Sequence, residues 1–573
     1  MQNVRKISWR RIFSLQNLPK FGLVAATIVS AILMTFYVEQ HASTGGNTPI
    51  GFADGLFWYS TLILWLISLI LTSLSGSFFI GQGAMWSILL GVMFVSTQKM
   101  QYRADPLLPE DFMLADQAGT LAGMVDSGKL ITTVVLVVVI LAASIGLHFY
   151  VRRLRPPQKK LRHRLLIRAG AVVVLIATIL LAVQPVYLSI GPGNKFLGRE
   201  MIFWSQNENY QSLGFVTGFI YNTRPMHFAK PEGYSESRVQ EIVKKYKSVP
   251  AQKGERVNIV YVMNESFSDP TKYLEDADDP IPNLHEVMSE TTSGETASSE
   301  FGGGTANVEF EALTSFSNYY LDGMPYLYYA SHIHDFPSIV STMKSQNYAV
   351  TAIHLSDSKM YKREEVYKNF GFDQFIYDKD LDPEAVKWAN NYISDETGYE
   401  TTLKKLRDTD RKDFVFLLTM QNHVPYATDY LELLSESDRA TANFLTELED
   451  FSEKTLVVFW GDHLPGIYDR TKLPGSSFGK TPLFMWSNFE IEKQNLDTVS
   501  PIFFNQLALS MSGAKLTGFQ KLMSEVYKTN KVLTKQLLKF YPVKDNATLE
   551  DYRMIEYDIL AGKRYSQDMG FFE

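Results

Sequence analysis

The chain has 573 residues, which at about 100–200 residues per domain is too many for a single small module. Its net charge of −7 hides two unlike parts: 16 Lys and Arg against 7 Asp and Glu up to Tyr187, then 39 against 55 beyond it. The acidic larger part argues against nucleic acid as a partner, because phosphate backbones need a basic face, and the absence of Cys excludes a disulfide framework, a thiol nucleophile and a Cys-ligated metal.

In chain order, the first elements are five apolar runs, at 21–38, 52–74, 78–96, 130–150 and 165–187. Each approaches the roughly 20 residues that cross a hydrocarbon core of ~30 Å. The first is too long and uninterrupted for a cleaved signal region and reads as a retained span. Positive charge sets the orientation. Arg5, Lys6, Arg10, Arg11 and Lys20 precede the first run, and Arg152, Arg153, Arg155, Lys159, Lys160, Arg162 and Arg164 lie between the fourth and fifth, whereas the 39–51 loop has no Lys or Arg. The N-terminus is therefore expected inside, and everything after the fifth span outside. The loop around Asp105-Pro106-Leu107-Leu108-Pro109-Glu110-Asp111 is too long for a hairpin and too mixed to cross. It reads as lying along the outer surface, either as a plain loop or as part of a lipid-facing substrate entrance.

The expected divisions are a five-helix membrane domain (1–187), a juxtamembrane linker (188–254) with a helical stretch at 235–246, an outer domain (255–510) and a C-terminal segment packing on it (511–573). Within the outer domain, short apolar runs at 257–263, 349–354, 414–419, 456–460 and 483–486 alternate with helical stretches. Runs that are continuously apolar suit strands buried on both faces of a mostly parallel sheet. In such sheets the ligand site lies beyond the carboxyl ends of the strands. There stand Asn264-Glu265-Ser266 after the first run, His354 at the second, Gln421-Asn422-His423 after the third and Gly461-Asp462-His463 after the fourth. Four strand ends thus carry metal-binding or proton-handling residue types. Gly302-Gly303-Gly304-Thr305 adds a glycine turn that lets backbone approach an anion at a helix start.

The Asp-Pro-Leu-Leu-Pro-Glu-Asp loop, Glu265-Ser266-Phe267, the Gly302 to Phe310 segment, Tyr361-Lys362-Arg363, Asn422-His423-Val424-Pro425 and Trp460-Gly461-Asp462-His463, in this order after five spans, resemble the lipoteichoic acid synthase family. That family consists of membrane-anchored members of the alkaline phosphatase and sulfatase superfamily. The resemblance implies an extracytoplasmic α/β domain with a mostly parallel central sheet. It implies one divalent cation, assigned as manganese with magnesium as the alternative, on Glu265, Thr305, Asp462 and His463. It also implies Thr305, His423 and Arg363 as catalytic residues, and Arg363, His423, His354 and Tyr361 at the substrate phosphate. The donor implied is phosphatidylglycerol, the acceptor a glycolipid or envelope polymer such as lipoteichoic acid, and the host a Gram-positive bacterium. In the family a Trp-Asn pair precedes the arginine, where this chain has Tyr361-Lys362.

The chemistry is coherent with those residues. A cation on oxygen and nitrogen ligands lowers the hydroxyl pKa of Thr305 for attack on phosphorus, Arg363 and His423 meet phosphoryl charge, and His423 or His354 protonates the departing alkoxide. Alternatives of the same superfamily are a phosphoethanolamine transferase, against which the absence of Cys speaks, and a head-group hydrolase. A sulfatase is disfavoured by the missing Cys- or Ser-x-Pro-x-Arg signature, and a metal-free scaffold by the intact ligand set. Outside the matched segments, His332-Ile333-His334-Asp335 reads as structural, Glu309 and Glu311 as a solvated helix face, and the tyrosines at 319–329 as packing.

Overall fold

The five apolar runs form helices α1 (Leu18–Ala42), α2 (Gly55–Ser75), α3 (Phe78–Arg103), α4 (Ser127–Arg153) and α5 (Leu161–Leu188) of a computed structural model. That structure describes residues 18–573 apart from 43–49, 104–105, 118, 120–121, 123–124, 154–160, 190–194, 201–205, 224–227, 252–255, 275–277, 322, 469–472, 474 and 476. Arg5, Lys6, Arg10, Arg11, Arg155, Lys159 and Lys160, on which the expected orientation rests, lie outside the described residues, as does Asp105. At 1.5 Å per residue, helices of 21 to 28 residues span about 30–40 Å, long enough to cross a bilayer.

The chain divides into two compact units, the first holding these helices and the segment to residue 225, the second residues 226–573 with 102–104 and 112–124. In the first unit, hydrogen bonds from Thr61 Oγ1 to Thr35 Oγ1 (3.0 Å) and from Trp65 Nε1 to Thr27 Oγ1 (2.9 Å) tie α2 to α1. Such polar contacts join apolar helices where lipid offers no competing partners. α4 buries none of its side chains, which suits a helix facing lipid. In the loop after α3, Leu107 and Leu108 are buried, and Asp111 takes Lys99 Nζ at 2.7 Å and the Leu108 N–H at 2.7 Å.

The second unit is built on eight strands: β1 (Asn258–Asn264), β2 (Thr292–Ala297), β3 (Ala349–His354), β4 (Gln374–Tyr377), β5 (Asp413–Leu418), β6 (Thr455–Gly461), β7 (Lys480–Ser487) and β8 (Asn495–Val499). Their order is β8-β2-β7-β6-β1-β5-β3-β4. Only β7 runs against its neighbours, so the sheet is mostly parallel. Alternation along β1 feeds two cores: Ile259, Tyr261 and Met263 enter one, Val260 and Val262 the other. Both faces are therefore covered, which is why the strands read as unbroken apolar runs. Each fully buried side chain of this size contributes roughly 1.5–3 kcal/mol. The first core also takes Phe519, Leu522, Tyr552 and Ile555 from the C-terminal helices and Phe572 from the turn that follows them. The helix Glu236–Lys245 belongs to this unit too: buried Asp551 pairs with Arg238 (2.5 Å) and Lys245 (2.8 Å).

Candidate active site

The parallel strands end side by side, and their exits place the charged residues. Gly461 closes β6 where a Cβ would stand 2.1 Å from the Phe267 carbonyl, so only glycine lets the β1 and β6 exits approach this closely. Glu265 leaves β1, and Asp462 and His463 leave β6. Helix α6 (Thr305–Thr314) starts at Thr305, behind three successive glycines with φ of 64°, 145° and 92°. At the last of these, Gly304, a Cβ would lie 2.4 Å from Glu300 Oε2.

These exits bring Glu265, Asp462 and His463 together with ligand atoms within 4.8 Å of one another. Thr305 Oγ1 donates to Glu265 Oε2 at 3.1 Å and lies 3.3 Å from His463 Nε2. His463 Nδ1 donates to the Leu464 carbonyl at 3.1 Å, which leaves Nε2 with its lone pair toward the cluster. Nε2 is 3.1 Å from Asp462 Oδ2 and 3.8 Å from Glu265 Oε1. Asp462 Oδ1 accepts the N–H groups of Ser266 (2.7 Å) and His463 (2.8 Å), but the buried Oδ2 makes no hydrogen bond. Burial pushes Asp462 up to about 7. Burial, and then the Asp462 charge, also raise Glu265. Two buried carboxylates, an imidazole lone pair and a hydroxyl, with one carboxylate oxygen unmet, fit a divalent cation with oxygen and nitrogen ligands.

A second cluster adjoins α7 (Arg363–Phe370). Arg363, 2% exposed, donates from Nε to Glu309 Oε2 at 3.1 Å, and its Nη1 lies 3.3 Å from His354 Nε2. His354 Nδ1 faces the Leu418 carbonyl at 3.3 Å. Burial, and then the arginine, hold His354 well below its ordinary value, so it is a neutral acceptor for Arg363. Tyr361 lies beneath the guanidinium, 5.2 Å from ring centroid to Cζ. Tyr361 and Lys362 both have positive φ, 55° and 57°, a strained pair that turns the chain into α7.

His423 stands on the loop after β5. Asn390 Nδ2 donates to the Gln421 and His423 carbonyls at 3.0 and 2.7 Å, and Tyr392 Oη lies 3.2 Å from His423 Nδ1. His423 is close enough to act electrostatically on both Glu265 and His354. Beneath the strand ends, buried Asp395, at the start of α8 (Asp395–Arg407), accepts from Asn264 Nδ2 and from Ser437 Oγ, each at 2.7 Å. Asn422 Nδ2 donates to Asn264 Oδ1 at 3.2 Å. The residues before Glu265 and before His423 are thereby tied to each other.

One expectation is corrected. Glu309 and Glu311 do not face solvent: every residue of α6 is buried, and Glu309, one turn after Thr305 on the same face, accepts from Tyr326 Oη at 2.8 Å as well as from Arg363. The neighbouring tyrosines Tyr326 and Tyr329 are buried in the core, and His334 bonds Asn369 at 3.0 Å. Local sequence carries no signal for Asp395, Asn390 or Tyr392, whose partners are 26 to 131 residues away.

Residues 257–514 match the sulfatase family. A putative cyclic beta-1,2-glucan modification protein of Rhizobium meliloti (strain 1021) is 28% identical, over 95% of this chain and 93% of its own length. The lipoteichoic acid synthase-like YvgJ of Bacillus subtilis (strain 168) is 21% identical over 41% of this chain and 39% of its own. Among solved structures, the Streptococcus pyogenes phosphoglycerol transferase GacH in complex with sn-glycerol-1-phosphate superposes with a TM-score of 0.55 and 26% identity, over 60% of this chain and 98% of that one. Behind five apolar helices among the described residues, the mostly parallel α/β domain matches the sulfatase family over residues 257–514, and the chain is similar to the lipoteichoic acid synthases over part of its length.

Proposed function

We propose that this protein is a membrane-anchored phosphotransferase that moves glycerophosphate from phosphatidylglycerol to a hydroxyl of a cell-envelope glycan. The observation that carries the reading is Thr305 Oγ1, 3.1 Å from Glu265 Oε2 and 3.3 Å from His463 Nε2 at the first turn of α6. Similarity to a phosphoglycerol transferase and to a glucan modification protein supports the group and the acceptor class. A relative that spans most of the chain comes from Rhizobium meliloti, so we name the acceptor by its chemistry and not by the envelope of a Gram-positive host.

A divalent cation held by Glu265, Asp462, His463 and Thr305, manganese in the first instance, lowers the hydroxyl pKa and offsets phosphoryl charge when bound. Thr305, its hydroxyl proton released to solvent beforehand, attacks phosphorus through Oγ1 as the alkoxide, and the bond to the diacylglycerol oxygen breaks, that oxygen taking a proton from His423. A glycerophosphoryl-threonine remains. The acceptor hydroxyl then displaces Thr305, passing its proton to His423 and restoring the free side chain. Arg363, fixed by Glu309 and His354, holds non-bridging oxygens, and the N–H groups at the start of α6 favour the anion. Neutral His354 orients the arginine through Nε2 and keeps its one N–H on the Leu418 carbonyl. The catalytic domain is placed outside the cell, with the N-terminus inside, where lipid donor and envelope acceptor meet.

The test uses full-length protein in detergent with manganese and fluorescent phosphatidylglycerol, following diacylglycerol release. Release that disappears in Thr305→Ala is expected; release from phosphatidylethanolamine alone would replace the donor, and release that survives Thr305→Ala would remove the nucleophile.

A further inference from the structure

The loop after β5 carries a side chain whose hydrogen-bonding capacity is unmet. The Tyr426 hydroxyl, three residues beyond His423, is buried and makes no hydrogen bond. Its ring packs on Tyr430, with centroids 5.5 Å apart. Tyr430 in turn donates to the Ser266 carbonyl at 2.6 Å, beside the cation ligand Glu265, and lies 2.8 Å from Ser268 Oγ, which also meets Tyr468 Oη at 2.8 Å. The backbone is pinned on both sides of Tyr426: Asn390 binds the His423 carbonyl at 2.7 Å and accepts the Ala427 N–H at 2.6 Å.

Glu265 and Asp462 both act electrostatically on this phenol and, after burial, help to keep it protonated, yet neither accepts its hydrogen. Tyr392, beside His423, also feels Glu265. A buried O–H without an acceptor is destabilising, and folded chains seldom leave one unmet. Here the donor is on the same loop as His423 and packs on Tyr430, which bonds the backbone next to Glu265, so an anionic substrate at the cluster would supply the missing acceptor.

We propose that Tyr426 donates its phenolic hydrogen to a non-bridging phosphoryl oxygen of the bound substrate, so that the phosphoryl group is held by Arg363 from α7 and by Tyr426 from the loop after β5. This rests on the reading above only in taking the substrate to carry a phosphoryl group.

The experiment titrates manganese-loaded full-length protein in detergent, wild type and Tyr426→Phe, with inorganic phosphate and with sn-glycerol 1-phosphate, and records affinity by calorimetry and the ligand-free melting temperature. Loss of one hydrogen bond to a charged acceptor predicts affinity about 10- to 100-fold weaker for both ligands. The ligand-free melting temperature should be unchanged or higher, since Phe keeps the packing on Tyr430 and removes an unmet hydroxyl. Equal affinities in the two proteins, weakening confined to sn-glycerol 1-phosphate, a lowered ligand-free melting temperature, or no binding of either ligand by wild type would each overturn the assignment. Diacylglycerol release is scored separately: its absence with the phosphate difference intact removes the proposed lipid reaction alone, and its presence with equal phosphate affinities removes the role of Tyr426 alone.

Discussion

The two charged clusters of the catalytic domain are completed by different means. Around Arg363 every strong charge has its counterpart within the chain: Glu309 neutralises the guanidinium, Tyr326 satisfies the other oxygen of Glu309, and neutral His354 accepts from Nη1. Around Thr305, two carboxylates and an imidazole lone pair converge, Asp462 Oδ2 is unmet, and burial raises both acids. One cluster is assembled by folding; the other has the ligands to take a positive charge from outside. A buried charge without compensation costs several kcal/mol, so the second cluster should report on cation binding and the first should not.

The largest effect that sharpens this difference is expected for Asp462→Asn. Turnover should fall by about 10³-fold or more, with cation affinity lost. In the cation-free protein the same change should raise the melting temperature, because it removes an uncompensated acid. The sign in pH follows from the raised acid. With Asp462 near 7 in the fold against ~3.9 in the unfolded chain, the folded state binds more protons, so this stability is fully present below about pH 4 and is lost as pH rises toward 7. Chelated wild type should therefore lose stability over that window, on the order of a few kcal/mol. Manganese or Asp462→Asn should flatten the slope, as thermal melts across pH will show.

A smaller effect is expected at the internally paired cluster. Glu309→Gln keeps the shape and one acceptor oxygen but removes the negative charge that fixes Arg363. Turnover should fall by about 10- to 100-fold while calorimetric manganese affinity stays at the wild-type value. A matching loss of manganese affinity would break the comparison, since the two clusters would then be one. The smallest effect is at the strained turn into α7. Lys362→Gly relieves a left-handed conformation but loosens the unfolded chain, and the balance should stabilise by less than about 1 kcal/mol in denaturant melts.

The same contrast explains what could be read from the sequence. The strand exits were legible because a continuously apolar run that stops at Glu265, His354 or Asp462 announces both a buried parallel strand and its carboxyl end. Strands β2, β4 and β8 were not: Thr-Ser-Gly-Glu-Thr-Ala has no apolar run, and such strands form through pairing with distant neighbours. Glu309 was misread because a glutamate on a helix is ordinarily solvated, and only the tertiary packing of α6 shows that it meets an arginine 54 residues later. The Asn264–Asp395 contact spans 131 residues and leaves no local trace. Arg363 itself came from the resemblance, not from spacing.

The most direct measurement is peptide mapping by mass spectrometry of full-length protein quenched during turnover of phosphatidylglycerol with manganese. A glycerophosphoryl group on the peptide containing Thr305, absent after chelation and in Asp462→Asn, is the predicted result. Turnover with no adduct on that peptide, or with the adduct on another residue, would contradict the central claim that the exits of β1 and β6 and the start of α6 assemble a cation-activated threonine nucleophile.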